Sequence, residues 1–471
     1  MRIGAPDPAL TGVSGMAAVT ELCDRLGVVE ALDAAVGPIK ARDRGFGAGG
    51  LLVGLAAAQL AGEDFLVGLD RQREDVAGQV LAPVAGLSST TVAGLARRIT
   101  DAQWVKVETG LARVTERVLG RVSVARRARL CESVTIDLDA TDVEVYGRKK
   151  RGVDYNYHGQ RCGRPHVATW AEVETVLAAE LLSGNDDPRS HAAELLRRAL
   201  ATLPGWARRG RVRLRTDAGY FAGELARVAM LEGVEFAIGA KRIAPLWRLV
   251  AGIEESDWTA AIDMDGAQVA VADYRPDWWP SDTWLLIRRS RLDISQVSAD
   301  SRSRRRKTLH PDQRALPLPE LADADAIYGY SFILTNLDVS TPGQAAAVEH
   351  WYRHRTTIEN VFRDSKHGAA LRHLPSGYVQ VNTAWMWGAL LAASMAGWLH
   401  QLTATEHPTT GHLSGWGVRD GKAMIATLRH RLIRVPARLI HHAGQLDLRL
   451  PPGHHLLNEV LARLRALPAA S

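Results

Sequence analysis

The spacing of apolar positions changes twice along the 471-residue chain. From residue 1 to about 125 they gather in Ala- and Leu-rich runs such as GGLLVGLAAAQLAGEDFLVGLD (49–70), without strand-like alternation. This predicts an all-α N-terminal region. Within it, SSTTVAGLARRI (88–99) opens on hydroxyl residues suited to N-capping and turns apolar and basic, the pattern of a packing helix or of a recognition helix. Near residue 130 the period falls to two. In CESVTIDLDATDVEVYG (131–147), Val134, Ile136 and Leu138 alternate with Thr135, Asp137 and Asp139, so the two acids share a strand face. A helical run (190–203), a strand running into a turn (RVRLRTDAGYF, 211–221), a helix (223–234) and a strand (EFAIGAK, 235–241) follow. That alternation predicts an α/β domain beginning near 126.

From 242 to 337 the runs WTAAIDM, AQVAVADYR, TWLLIRR and YGYSFILTNL predict a β-rich insertion. Between them lies the basic stretch DSRSRRRKTLHPDQRALP (300–317), either a solvated linker or a DNA contact. Helical signals return at 340, where Thr341 and Gln344 have capping-box spacing with Pro342 between them, and the helix is expected to run unbroken to Gly368. AWMWGALLAASMAGWL (384–399) predicts a buried helix. Residues 338–405 are therefore expected to complete the α/β core. A C-terminal region, 406–471, carries late strands and a final helix.

Composition narrows the field. With 46% hydrophobic and 23% charged residues, the chain can bury a large core. The net charge of +6 favours a polyanionic partner, and only eight of the 58 basic residues are Lys. Arg forks suit phosphate and guanine edges, although an Arg-rich coding bias accounts for much of the count. Three scattered cysteines, Cys23, Cys131 and Cys162, argue against a disulfide framework or a Cys-rich zinc site. The first fifteen residues lack the apolar core of a secretory signal, and the longest apolar run is shorter than the roughly 20 residues of a membrane span. A cytoplasmic protein without a membrane segment is expected.

The segment WYRHRTTIENVFRDSKHG (351–368) concentrates chemistry. On a continuous helix, Tyr352, Arg355, Glu359 and Lys366 fall within about 60° of one another. An Arg355–Glu359 ion pair alone would be an ordinary helix-surface contact worth tenths of a kcal/mol. Upstream, Asp139 and Asp217 each stand at the end of a predicted strand, where α/β sheets present ligand-binding groups. Either alone would read as a turn residue. Together with Glu359 they can hold two Mg²⁺ ions, and paired ions suit in-line phosphoryl displacement.

These residues resemble the bacterial insertion-sequence transposases of the DDE type. One branch carries a Y-(2)-R-(3)-E-(6)-K signature, which Tyr352, Arg355, Glu359 and Lys366 match without a gap. Asp139-Ala140-Thr141 and Asp217-Ala218-Gly219-Tyr220-Phe221 match the contexts of the family's two aspartates. The resemblance implies an RNase H-like core and Asp139, Asp217 and Glu359 as catalytic metal ligands for Mg²⁺, with Mn²⁺ as a substitute. It implies that Tyr352, Arg355 and Lys366 position DNA, and that the helices before 126 bind the element's ends. The partners would be double-stranded DNA, as terminal inverted repeats and target, bound by a dimer. Hydrolytic nicking would be followed by attack of the freed 3′-hydroxyl. Asp137 and Asp142 compete for the place of first acid, and the Asp-x-Thr context favours Asp139. Rival readings are a transposase without catalysis acting as a DNA-binding regulator, or a nuclease on the same core. A two-carboxylate glycosidase is disfavoured by the low aromatic content and basic balance.

Overall fold

The computed structural model describes residues 1–42, 44–293, 297–298, 307–308 and 326–469. Helices dominate its first part: α1 (Met16–Leu26), α2 (Val28–Val36), α3 (Ala48–Ala61) and α4 (Asp101–Arg121), with shorter helices between them. Every residue of α3 is buried, which its unbroken AGGLLVGLAAAQLA sequence requires. Helix α4 starts with a full capping box from Thr100 and Gln103.

The sheet that follows is built from β1 (Ser133–Ala140), β2 (Arg161–Trp170), β3 (Thr175–Ser183), β4 (Arg211–Thr216) and β5 (Glu235–Ala240). Strands β1, β2 and β3 are antiparallel neighbours, while β4 and β5 add in parallel on the other side of β1. The spatial order is β3-β2-β1-β4-β5, the arrangement of the expected RNase H-like core. Helix α5 (Pro188–Thr202) enters through Asp187, whose side chain accepts from the Arg189 N–H, and links β3 to β4. Helix α6 (Gly223–Leu231) is the crossover between β4 and β5.

The β-rich insertion extends this sheet. Strands β6 (Ala267–Ala272), β7 (Trp284–Asp293) and β8 (Ala326–Thr335) continue outward from β5, with β8 antiparallel to it. Most of the basic stretch 300–317 lies outside the described residues.

The expected unbroken helix up to Gly368 is in fact two helices and a wider turn: α7 (Pro342–Arg353), α8 (Thr356–Arg363) and a π-turn at Asp364–Gly368. At the break, the His354 and Arg355 N–H groups bond three residues back, to the Trp351 and Tyr352 carbonyls. His354 Nδ1 also lies 2.7 Å from the His350 carbonyl. Packing explains the interruption. In α7, Val348 packs with Ala237, Leu286 and Ile333 of the extended sheet, whereas Ile358, Val361 and Phe362 of α8 join the core of the helical part. Straight continuation would not serve both cores. Helix α7 is also held by Glu349, fully buried, whose carboxylate meets Arg288 of β7 at 2.7 Å.

Helix α9 (Val379–Thr403) is the expected buried helix and lies against α3. The two backbones approach closely at Gly388, where a Cβ would stand 2.9 Å from Leu55 Cβ. Helix α10 (Leu456–Arg465) packs on α1, and the strand Ala437–His442 pairs with Leu10–Thr11, so both ends of the chain meet in one core. Among the described residues, no helix is long and apolar enough to cross a membrane.

Near the end of α9, burial pulls the His400 imidazole down to about 4, against partial relief from Glu174. A folded pKa below the unfolded value of about 6.5 means the stability it contributes is present above pH 6.5 and lost as pH falls toward 4. Denaturant titrations at pH 7.5 and 5.5 are expected to show wild type losing about 1 kcal/mol more than His400→Gln. Equal losses would reject this origin.

Candidate active site

The last register pair of β1 and β4 is Leu138 and Thr216. Asp139 and Asp217 are the next residues on these two parallel strands, so the fold sets their carboxylates side by side. Asp139 Oδ1 accepts from the Ala140 N–H at 2.8 Å, and its Oδ2 accepts from Arg355 at 3.2 Å. Burial, and then the charge of Asp217, pushes the Asp139 carboxyl up to about 6. Asp217 caps the turn that follows it, accepting from the Gly219 N–H at 2.8 Å. Both line an open cleft of about 740 Å³.

Glu359 reaches this pair through Arg355. The Arg355 guanidinium, at the break between α7 and α8, spans from Asp139 Oδ2 to Glu359 Oε1, the latter at 3.3 Å. Asp139, Asp217 and Glu359 all act on its charge. Glu359 itself is 56% exposed. Among the described residues no three His, Cys, Asp or Glu side chains already converge as a metal cage. The donor set nevertheless fits a hard divalent ion. All three acids offer only carboxylate oxygens, and a guanidinium stands where their joint charge calls for a cation.

The other members of the signature grip the strand ends that carry the aspartates. The Tyr352 hydroxyl donates to the Thr216 carbonyl at 3.1 Å, and burial pushes this phenol up to about 12. Lys366 Nζ donates to Thr141 Oγ1 at 2.6 Å and to the Asp142 carbonyl at 2.8 Å. The two competing acids are engaged elsewhere. Asp137, fully buried, forms a two-point ion pair with Arg215 at 2.7 and 2.9 Å. Asp142 pairs with Arg164 at 2.6 Å and accepts from Asn156 at 2.8 Å.

A family profile described as "Transposase DDE domain group 1" matches residues 8–297 and 321–469. The chain belongs to the DDE transposases. It is accordingly an enzyme that cuts and transfers DNA strands, in a family that uses divalent metal. Comparison with curated proteins gives no match. Among solved structures, the chain is similar to a piggyBac transposase in a synaptic complex with hairpin DNA, at 10% identity and a TM-score of 0.40, covering 90% of this chain and 80% of that one.

Two supports of the transposase site were missed from sequence. Arg215 locks Asp137 and also donates to the Trp351 carbonyl at 2.6 Å, tying the end of α7 to the centre of the sheet. Gly239, inside β5, faces the site: a Cβ there would lie 2.6 Å from Tyr352 Oη, 2.7 Å from the Ala218 nitrogen and 2.9 Å from the Asp217 carbonyl carbon. Two of these are backbone atoms that cannot turn aside. Gly239→Ala is expected to cost about 1–3 kcal/mol and to slow cutting by displacing Asp217 and the Tyr352 hydroxyl together. Thermal melts and nicking rates test this, and a wild-type rate would refute it.

Proposed function

We propose that the transposase mobilises a bacterial insertion sequence, nicking its terminal inverted repeats and joining the 3′-hydroxyl ends to target DNA as a dimer on the two ends. The observation that carries this reading is the placement of Asp139 and Asp217 on adjacent strand ends, with Glu359 linked to them through one guanidinium. These three carboxylates would hold two Mg²⁺ ions, or Mn²⁺ in their place. Ions held there would activate the attacking oxygen and offset charge on the leaving one.

The chain's own residues supply binding and position. Tyr352, Arg355 and Lys366 are the proposed DNA-positioning groups, and each is held by a protein partner. Arg355 is the one whose release matters most, since moving it to a phosphate frees Asp139 and Glu359 together. Such an exchange couples DNA arrival to the charge demand of the acids. The helices before residue 126 are proposed to hold the element's ends.

The test uses the DNA flanking the gene. Purified protein and a labelled duplex of the candidate terminal repeat are incubated with Mg²⁺ or with EDTA, beside Asp139→Asn. Metal-dependent nicks at the repeat boundary, absent in the variant, are expected. Binding without nicking under Mg²⁺ and Mn²⁺ would instead support the regulator reading.

A further inference from the structure

The segment between β1 and β2 forms a rim on the same cleft as Asp139 and Asp217, and beyond Asp142 neither the catalytic reading nor the signature uses it. Its tip carries Tyr155 and Tyr157, 61% and 86% exposed, and both line the cleft. The Tyr157 ring packs on His158 with centroids 3.8 Å apart. These rings are held out by design of the turn. Buried Asn156 accepts from the His158 and Gln160 N–H groups at 3.0 and 2.9 Å, and its amide donates to Asp142 at 2.8 Å. The tip is thus fastened to the loop that follows Asp139.

Behind the tip runs Arg148-Lys149-Lys150-Arg151. Arg161 fixes this turn by donating to the Gly147 and Lys150 carbonyls at 2.5 and 2.7 Å, and Lys150 Nζ is taken by the Leu374 carbonyl. Arg148, Lys149 and Arg151 are exposed, and among the described residues their side chains meet no acid. The rim therefore carries exposed positive charge on a turn that Arg161, the strand partner of Tyr155, ties to the aromatic tip. That combination suits a nucleic-acid strand. The form of the strand also follows, because paired bases offer only their edges to a protein, whereas an exposed ring can stack on a base that has left its pair.

We propose that residues 146–160 bind unpaired DNA bases beside the cutting point, with Tyr157 on His158 as the stacking platform and Arg148, Lys149 and Arg151 on the adjoining phosphates. This rests on the function proposed above. The rim would favour ends whose flank has opened, and so would help to open the duplex at the cleft.

The experiment measures binding of the full-length protein in EDTA, which prevents cutting. The probes are a labelled duplex of the terminal repeat with its flank paired, and the same duplex with the flank unpaired. Wild type is expected to prefer the unpaired form by about tenfold, the value of roughly one stacked base. Tyr157→Ala should remove that preference without lowering affinity for the paired form, and Tyr157→Phe should restore it. A joint Arg148, Lys149 and Arg151 to Gln variant should weaken both forms and flatten their salt dependence. Equal wild-type affinity for the two probes, or a preference that survives Tyr157→Ala, overturns the proposal while leaving the transposase reading intact. Failure to bind either probe overturns both.

Discussion

Glu359→Gln is expected to abolish strand cutting, by about a thousandfold or more, while the protein folds and binds DNA as before. A bound ion supplies several kcal/mol of charge stabilisation to such a reaction, and the amide removes a charge that would hold it. The cost to the fold is small because Glu359 is half-exposed and, among the described residues, pairs only with Arg355, a contact of the surface kind. DNA affinity should hold or rise, since a carboxylate near phosphate is lost. Mobility-shift titration beside a nicking assay separates the two effects. Cutting at the wild-type rate would remove Glu359 from the metal site.

Arg215→Ala is expected to have the largest effect on stability. It leaves the Asp137 carboxylate buried without its cation, and burial already pushes that carboxyl up to about 6 despite the Arg215 bonds. Breaking one side of such a pair costs about 3–5 kcal/mol. The Trp351 carbonyl loses its donor as well, and the Trp351 ring keeps only the Arg213 guanidinium of the two packed over it. The paired change Asp137→Leu with Arg215→Met should recover much of the loss, because neither charge then needs a partner. Denaturant unfolding measures both. A single variant within about half a kcal/mol of wild type would contradict the assignment, since that is the range of surface changes.

What the sequence reveals here follows from how local each interaction is. Strand β1 is readable because its alternation is local, and the capping box at Thr341 and Gln344 appears as expected. Strands β2 and β3 are not readable in the same way. TVLAAELLS has the Ala, Leu and Glu content of a helix, and RCGRPHVATW carries Gly163 and Pro165 within a strand buried on both faces. Their conformation is decided by pairing with each other and with β1. At the site, the spacing of Tyr352, Arg355, Glu359 and Lys366 marks a segment whose side chains meet Asp139, Thr216 and Thr141 in the fold, but a single helical projection does not describe it. The break at His354 comes from two separate cores, which a helical projection cannot contain. Alternation likewise put Asp137 on the face of Asp139, while its neutralising partner comes from a strand 78 residues away.

The meeting of the chain's two ends in one core sets a timetable for making the protein. Leu10–Thr11 finds its strand partner only at Ala437–Arg438, and α1 finds α10 only at Leu456–Arg465. At about 5–20 residues per second, the ribosome keeps the first helices waiting for roughly 20 to 90 seconds. For most of that interval, until Val379–Thr403 has been made, α3, buried along its whole length in the fold, has no α9 to cover it. Nascent chains should therefore engage chaperones early and release them only once Leu456–Arg465 has emerged. A message truncated before the last strands would yield an aggregating product in place of a partial enzyme.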